Sequence, residues 1–372
     1  MSYEIGILDL DTLLPPIAAA ESQVARLDER VARSEVGQGF AERADFFDSV
    51  SNMWVAGELV HIEDLVLHDA RMDIRTPTHE LVVAHRIIRA RRRIFSNEPG
   101  WAISRAGISV LSGLEDGEAS VPEYLGGGGE AFEDKTYDVV DDNNNSASEF
   151  AEIDAVLART AWLSDKAAEQ PQVSQPRETN VGDLIIRDPD WDEKERLSIW
   201  LDLVRQVAHY PATLAAAILW DAWEDIEPLQ RQHWLGPLLV SAYLRSRSNV
   251  ASHLFGFAVG LRAIPRERRR SRDRTIRLVA YLDAMQFSAD AGIKEIDRLT
   301  LAKRQMERRL NGKRSSSSLP AGIDLILSRP IVSASMIATA AKITPRGALN
   351  LIAELNVREL TGRGRYRAWG VL

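Results

Sequence analysis

Cysteine is absent from all 372 residues, so the chain forms neither disulfides nor thiolate metal sites. That absence is compatible with a reducing cytoplasm. Met1 to Gly6 lack the basic stretch and apolar core of a secretory signal, and no run approaches the apolar length that crosses a membrane. Cytoplasm is the expected location. A Gly-x-Ser-x-Gly nucleophile motif is missing too. The glycines Gly126 to Gly129 run into Glu130 rather than Gly-Lys-Ser/Thr, which argues against a phosphate loop there. His79 and Glu80 begin like the zinc signature His-Glu-x-x-His, but Val83 stands where the second histidine belongs. His61, Asp64 and His68 share a helical face at steps of three and four, without a further strong ligand. Helix-surface polarity explains them better, and neither metal nor cofactor is expected.

The composition is that of a globular protein, with 45% hydrophobic and 27% charged residues. Net charge is −8, unevenly placed. From Thr300 onward there are 13 Lys and Arg against 4 Asp and Glu; the rest of the chain holds 33 against 50. A basic end on an acidic body suits a nucleic-acid partner, because the acidic body limits indiscriminate binding.

The last forty residues explain that end. Met336, Ile337 and Ala340 give a short helix, Ser335 to Ala341, one apolar face. Thr344 before Pro345 fits an N-cap followed by proline at the first helical position. Leu349, Ile352 and Leu355 then form the stripe of a second helix. Its polar face carries Arg346, Gly347 and Asn350 in the first two turns, where a recognition helix meets base edges. Arg and Asn suit bidentate pairing with guanine and adenine. Glu359 to Thr361 and Tyr366 to Trp369 bracket the turn Gly362 to Gly364, a hairpin lined by Arg363, Arg365 and Arg367. Helix, turn, helix and basic hairpin make a winged helix-turn-helix over 319–372. Thr344, Arg346, Gly347, Asn350, Arg363, Arg365 and Arg367 are the candidate DNA-binding residues, and double-stranded DNA is the expected partner.

Upstream, helical patterns run over 1–114, including one dense stripe from Gly39 to His68 and a helix started by Thr78. The arginines between Arg86 and Arg93 read as a solvated helix end, with contact to a partner as the lesser reading. Residues 115–150 are acidic and rich in Gly and Asn, with few core formers, and read as a disordered insertion. Helices resume over 151–314, first at Ala151 to Ala168. They end with Arg274 to Phe287 and a longer helix, Ala291 to Leu310. Ser315 to Ser318 reads as a flexible joint. Trp200, Trp220, Trp223 and Trp234 read as core, with a ligand-pocket wall as the lesser reading. His209, His233 and His253 read as core or rim histidines. The run Arg266 to Arg277 reads as surface that neutralises the acidic body or extends the DNA footprint.

Two stretches carry a resemblance. The tail from Glu359 to Arg367 resembles the wing that ends many Fic-type proteins. The segment from Phe46 to Asp69, with Trp54, Gly57, Glu58 and Ile62 to Leu65, is similar to the segment preceding the Fic core. The likeness is nearest to an uncharacterised group of rhizobial helix-turn-helix proteins with a degenerate Fic-like body. It covers both ends; the middle is matched only by helix pattern and Leu235 to Leu239. In active Fic proteins a His-Pro-Phe motif, running into Gly-Asn-Gly-Arg, supplies a general base and a phosphate cradle. Counting back from Pro237, it should fall at Ala222 to His233. There the base and both glycines are missing, and acids stand where phosphate would sit. Where the family often has an inhibitory glutamate, this chain has Ala56.

The fold expected is mainly α: a degenerate Fic-like helical body followed by a C-terminal winged helix-turn-helix. The function expected is DNA binding, as a transcriptional regulator without enzymatic activity. The body is left to dimerise, to sense a small-molecule effector or to bind a partner. The alternatives are a divergent Fic-type nucleotidyl (AMP) transferase and a protein-binding adaptor of a plasmid-maintenance or toxin–antitoxin system.

Overall fold

A computed structural model describes residues 3–73, 76–114, 191–310, 319–361 and 367–371. The expected insertion, the helix at 151–168 and the joint at 315–318 lie outside them. Among the described residues the chain is mainly helical, with three short strands near the C-terminus, and no helix is long and apolar enough to cross a membrane.

Local signals start and stop the first helices. Asp9 accepts from the Thr12 amide and caps α1 (Leu10–Arg33), whose buried face is Leu13, Ile17, Ala20, Val24, Leu27 and Val31. The stripe expected to run unbroken from Gly39 to His68 divides into α2 (Gly37–Val55) and α3 (Ile62–Asp69). Gly57, at φ 91°, turns the chain between them. Thr78 caps α4 (His79–Ser96) by accepting from Leu81 N at 3.3 Å, and α5 (Arg105–Ser112) follows.

The second part of the body comprises α6 (Glu193–Gln206), α7 (Ala212–Ile226), α8 (Leu235–Ser246), α9 (Phe257–Ala263), the single turn α10 (Arg266–Arg269) and α11 (Arg274–Leu310). Helix α7 is buried on nearly every side. Trp200 and Trp223 meet edge to face at 5.5 Å, and Trp220 meets Phe257 at 5.8 Å. These three are core; Trp234 is half-buried. The two helices expected over 274–310 are one helix of 37 residues, about 55 Å long. Gly292, inside it, is no break. A Cβ there would come within 2.8 Å of Leu27 Cδ1, so the glycine lets α1 approach closely. The two helices run in the same direction: Arg274 donates to the Ile5 carbonyl, Arg30 pairs with Asp297, and Lys303 reaches Glu35 at 3.3 Å.

Burial corrects part of the first arginine run, and ion pairs account for the second. Arg91 is 1% exposed rather than solvated. It pairs with Asp45 and Asp48 and donates to the carbonyls of Leu254 and Phe255. Burial alone would lower its pKa, but Asp48 and Asp45 outweigh that and raise it. Arg92 chelates Asp69 at 2.7 and 2.9 Å. In the second run, Arg274 and Arg277 converge on the buried Asp221, Arg270 pairs with Glu224, and Arg268 with Asp283. This run neutralises the acidic body. His253 is buried, whereas His209 and His233 are exposed and belong to no core.

Residues Met1–Asp116 and Asp190–Leu372 form one compact unit. Its C-terminal module contains α12 (Leu319–Ser328), β1 (Val332–Ser333), α13 (Ala334–Ala341), α14 (Pro345–Leu355), β2 (Arg358–Glu359) and β3 (Ala368–Gly370). The strands are antiparallel in the order β1-β3-β2, with Trp369 of β3 opposite both Val332 and Glu359.

Candidate nucleic-acid interface

The module's two central helices are set by their caps. Ser333 accepts from Met336 N at 3.2 Å and starts α13. Its buried side is Ile337, Ala338 and Ala341; Met336 is half-buried and Ala340 exposed, so the expected face is rotated by about one residue. Lys342 takes the left-handed conformation at φ 52° and ends that helix. Two residues later Thr344 accepts from Gly347 N at 3.1 Å, with Pro345 in the first turn of α14. The turn is therefore held by the Thr-Pro pair that the sequence singles out.

Helix α14 buries Ala348, Leu351, Ile352 and Leu355. Leu349 is half-buried beside this row, because one residue turns the helix by about 100°. Arg346, Asn350 and Ala353, at steps of four and three, are exposed together, and Gly347 is half-buried beside them. A polar outward face therefore begins in the first turn. The far end of α14 is closed by the body: Arg309 of α11 donates to the Leu355 carbonyl at 2.6 Å. With the Asn356 amide oriented to match, its oxygen accepts from Arg309 at 3.1 Å. A cation at a helix C-terminus also satisfies the partial negative charge there. Missed in the sequence are Arg309, whose carbonyl partner is 46 residues away, and the αL residue Asn356, which the frequency of Asn as a helix stop could have signalled.

Strands β2 and β3 pair through Leu360 N to the Ala368 carbonyl at 2.9 Å. Arg367 faces Glu359 at 2.6 Å and lies over the Trp369 ring at 5.2 Å. Its hydrogen bond lowers the Glu359 pKa. Arg367 thus has a protein partner, which the sequence did not reveal. Arg363 and Arg365 lie outside the described residues.

The module is bolted to the body. Arg43, 2% exposed, pairs with Glu295 at 2.7 Å and donates to the carbonyls of Arg329 and, at 2.8 Å, Val371. Arg329 in turn pairs with Glu42 at 2.6 Å. The guanidinium groups of Arg92 and Arg329 both lie over the Phe46 ring. After α3, Met72 Sδ stands 3.9 Å from the hydroxyls of Ser333 and Ser335.

Other sequence candidates resolve separately. His68 hydrogen-bonds Asp73 at 2.9 Å, His85 lies 3.3 Å from Asp69, and the two imidazoles meet edge to face at 4.8 Å. Asp69 is held well below the usual carboxylate range: burial opposes this, but His85 and Arg92 outweigh it. Among the described residues, no group of three His, Cys, Asp or Glu could hold a metal ion. Ala222 to His233 forms the end of α7 and the link to α8; Glu224 pairs there with Arg270 at 2.8 Å, and His233 is exposed.

Residues 319–372 match a family described as an HTH DNA binding domain, and residues 185–311 match a protein family of unknown function, DUF1612. The chain is 41% identical over 382 residues to the uncharacterised protein y4cF of Sinorhizobium fredii (strain NBRC 101917 / NGR234), with 100% of each covered. A module with an open polar helix face, carried on a helical body and matched along its whole length, places this chain in the same family as y4cF.

Proposed function

We propose that the protein is a DNA-binding transcriptional regulator whose C-terminal module acts as a winged helix-turn-helix. The observation that carries this reading is the outward face of α14. Arg346 and Asn350 stand one turn apart and exposed, while the opposite face is sunk in the core. Such a helix enters a major groove with its first turns leading, and Arg and Asn can each make paired hydrogen bonds to a purine edge. Thr344 and Gly347 bring the backbone of the same turn close to the groove. The segment between β2 and β3, with Arg363 and Arg365, serves as the wing, and Arg367 anchors its base through Glu359.

The body, in this reading, is Fic-like in descent and performs no nucleotidyl transfer. Ala222 to His233 offers neither the family's base nor its phosphate turn. The body instead fixes the orientation of the module and leaves surface for dimerisation or an effector. The test is selection of duplexes from a random pool by the full chain, followed by repetition with Arg346→Ala and Asn350→Ala together. An enriched sequence that the double variant no longer enriches supports the reading; no enrichment by the unaltered chain overturns it.

A further inference from the structure

Among the described residues, the body carries a row of exposed arginines that forms no ion pair. On α4, Leu81, Ala84, Ile88 and Arg91 face the core, and His85 and Arg92 form a second row that meets Asp69 of α3. Arg86, Arg89 and Arg93 are left pointing outward at steps of three and four. Arg71, just after α3, is exposed as well. None of these four forms an ion pair among the described residues; Arg93 lies over the Trp101 ring at 5.5 Å.

The acids around this row are already occupied. Asp69 is chelated by Arg92, Asp45 by Arg91, and Asp73 hydrogen-bonds His68. Glu63, Asp64 and Glu80, at the starts of α3 and α4, and Glu98, just past the end of α4, remain as opposing carboxylates. The same stretch of chain touches the module: Met72, beside Arg71, lies against Ser333 and Ser335 where α13 begins. Arg71 therefore stands beside the start of α13, at one edge of the proposed DNA surface, and Arg43 and Arg329 hold the two parts in fixed relation.

We propose that the DNA footprint extends past the helix-turn-helix onto the body, where Arg71, Arg86, Arg89 and Arg93 take the phosphate backbone of the flanking duplex. This rests on the DNA-binding reading given above. Charge complementarity selects the occupant. Between Arg86 and Arg93 every exposed position of α4 is arginine, and Phe95, exposed further along the helix, lies under the Arg245 guanidinium at 4.8 Å. A protein partner would need an apolar centre, whereas phosphates need only positive charge. Guanidinium forks suit phosphate oxygens directly, and such contacts position a protein without reading sequence.

The experiment is a salt series of anisotropy titrations with the full chain and a random-sequence duplex of about 40 base pairs, long enough to include flanks. The unaltered chain, Arg86→Ala/Arg89→Ala and Arg86→Lys/Arg89→Lys are compared. The alanine variant should lower the slope of log affinity against log salt by roughly 0.9 for each arginine lost, and the lysine variant should keep the original slope. Thermal melting should be the same for all three, since both side chains are exposed. A wild-type slope in the alanine variant would overturn the extended footprint and leave the module's role intact. No binding by the unaltered chain would overturn the DNA reading itself, and this inference with it.

Discussion

The guanidinium of Arg43 donates to the carbonyl of Val371 at 2.8 Å, across 328 residues of chain. One side chain of the second helix thus holds the end of the last strand. It also takes the Arg329 carbonyl at the end of α12 and the Glu295 carboxylate of α11. The module is consequently a fixed part of the molecule, and α14 has one orientation relative to the body.

Arg43→Ala should be strongly destabilising. Glu295 keeps Arg298, but two carbonyls lose their donor, at a cost of about 1–3 kcal/mol each. Urea denaturation would read the loss. Hydrogen exchange should show α12 and β3 losing protection first. A variant as stable as the parent, with the module still protected, would mean that α12 packing alone holds the module.

Removing the module altogether should cost the body stability as well. A chain ending near Ser315 exposes the faces of Phe46 and Arg43 that now meet Arg329 and Val371. The truncated chain should melt at lower temperature than the full chain and should not shift DNA. Full DNA affinity without the module would place the binding surface elsewhere.

The outward helix face and the hairpin should fail differently. Asn350→Ala should cost about 1–3 kcal/mol on the preferred site and little on random duplex. Arg365→Ala should weaken both duplexes and reduce the salt slope by about one. Arg367→Ala should change affinity less than Arg365→Ala, because Arg367 is engaged by Glu359. Titrations across a salt series separate these outcomes; equal losses on both duplexes for Asn350→Ala would mean that α14 does not read sequence.

The body should transfer no nucleotide. Incubation of the full chain with labelled nucleoside triphosphates and candidate acceptor proteins should yield no covalent product. Labelling that disappears in His233→Ala would place a working base in the link between α7 and α8.

Acid should weaken the fold through His253. Burial lowers its pKa from 6.5 to about 4, while Asp28 pulls the other way. The folded chain keeps the imidazole neutral, and the unfolded chain takes up a proton below about 6.5. The contribution is complete above that pH and is lost as pH falls from 6.5 towards 4, by roughly 3 kcal/mol in all. Urea melts at several pH values should show this slope, and His253→Asn should flatten it. An unchanged slope would assign the acid loss to carboxylates.

The module shows how much a sequence can specify locally. Thr344, Pro345 and the apolar row of α14 act within one or two turns, so the turn and its helix were readable residue by residue. The exact faces were less so. Leu349 and Ala340 satisfy a three-residue spacing, but the buried rows are Ala348, Leu351, Ile352 and Leu355, and Ile337, Ala338 and Ala341. Spacing fixes a stripe's period, and the neighbouring elements choose its phase.

The arginine runs mark where local reading ends. Arg89, Arg91 and Arg92 are equivalent as letters. On the folded helix one is exposed, one is buried between two aspartates, and one chelates Asp69. The partners of Arg91 and Arg92 lie 23 to 164 residues away, beyond any periodicity. By itself the sequence determined a helical protein without cysteine chemistry, and it determined the helix-turn-helix, because caps and stripes are short-range. Tertiary structure alone decided which arginines remain free for a partner and that Arg43 locks the module to the body. Both depend on which charges meet when distant segments pack, and a buried charge is stable only where that packing brings it a partner.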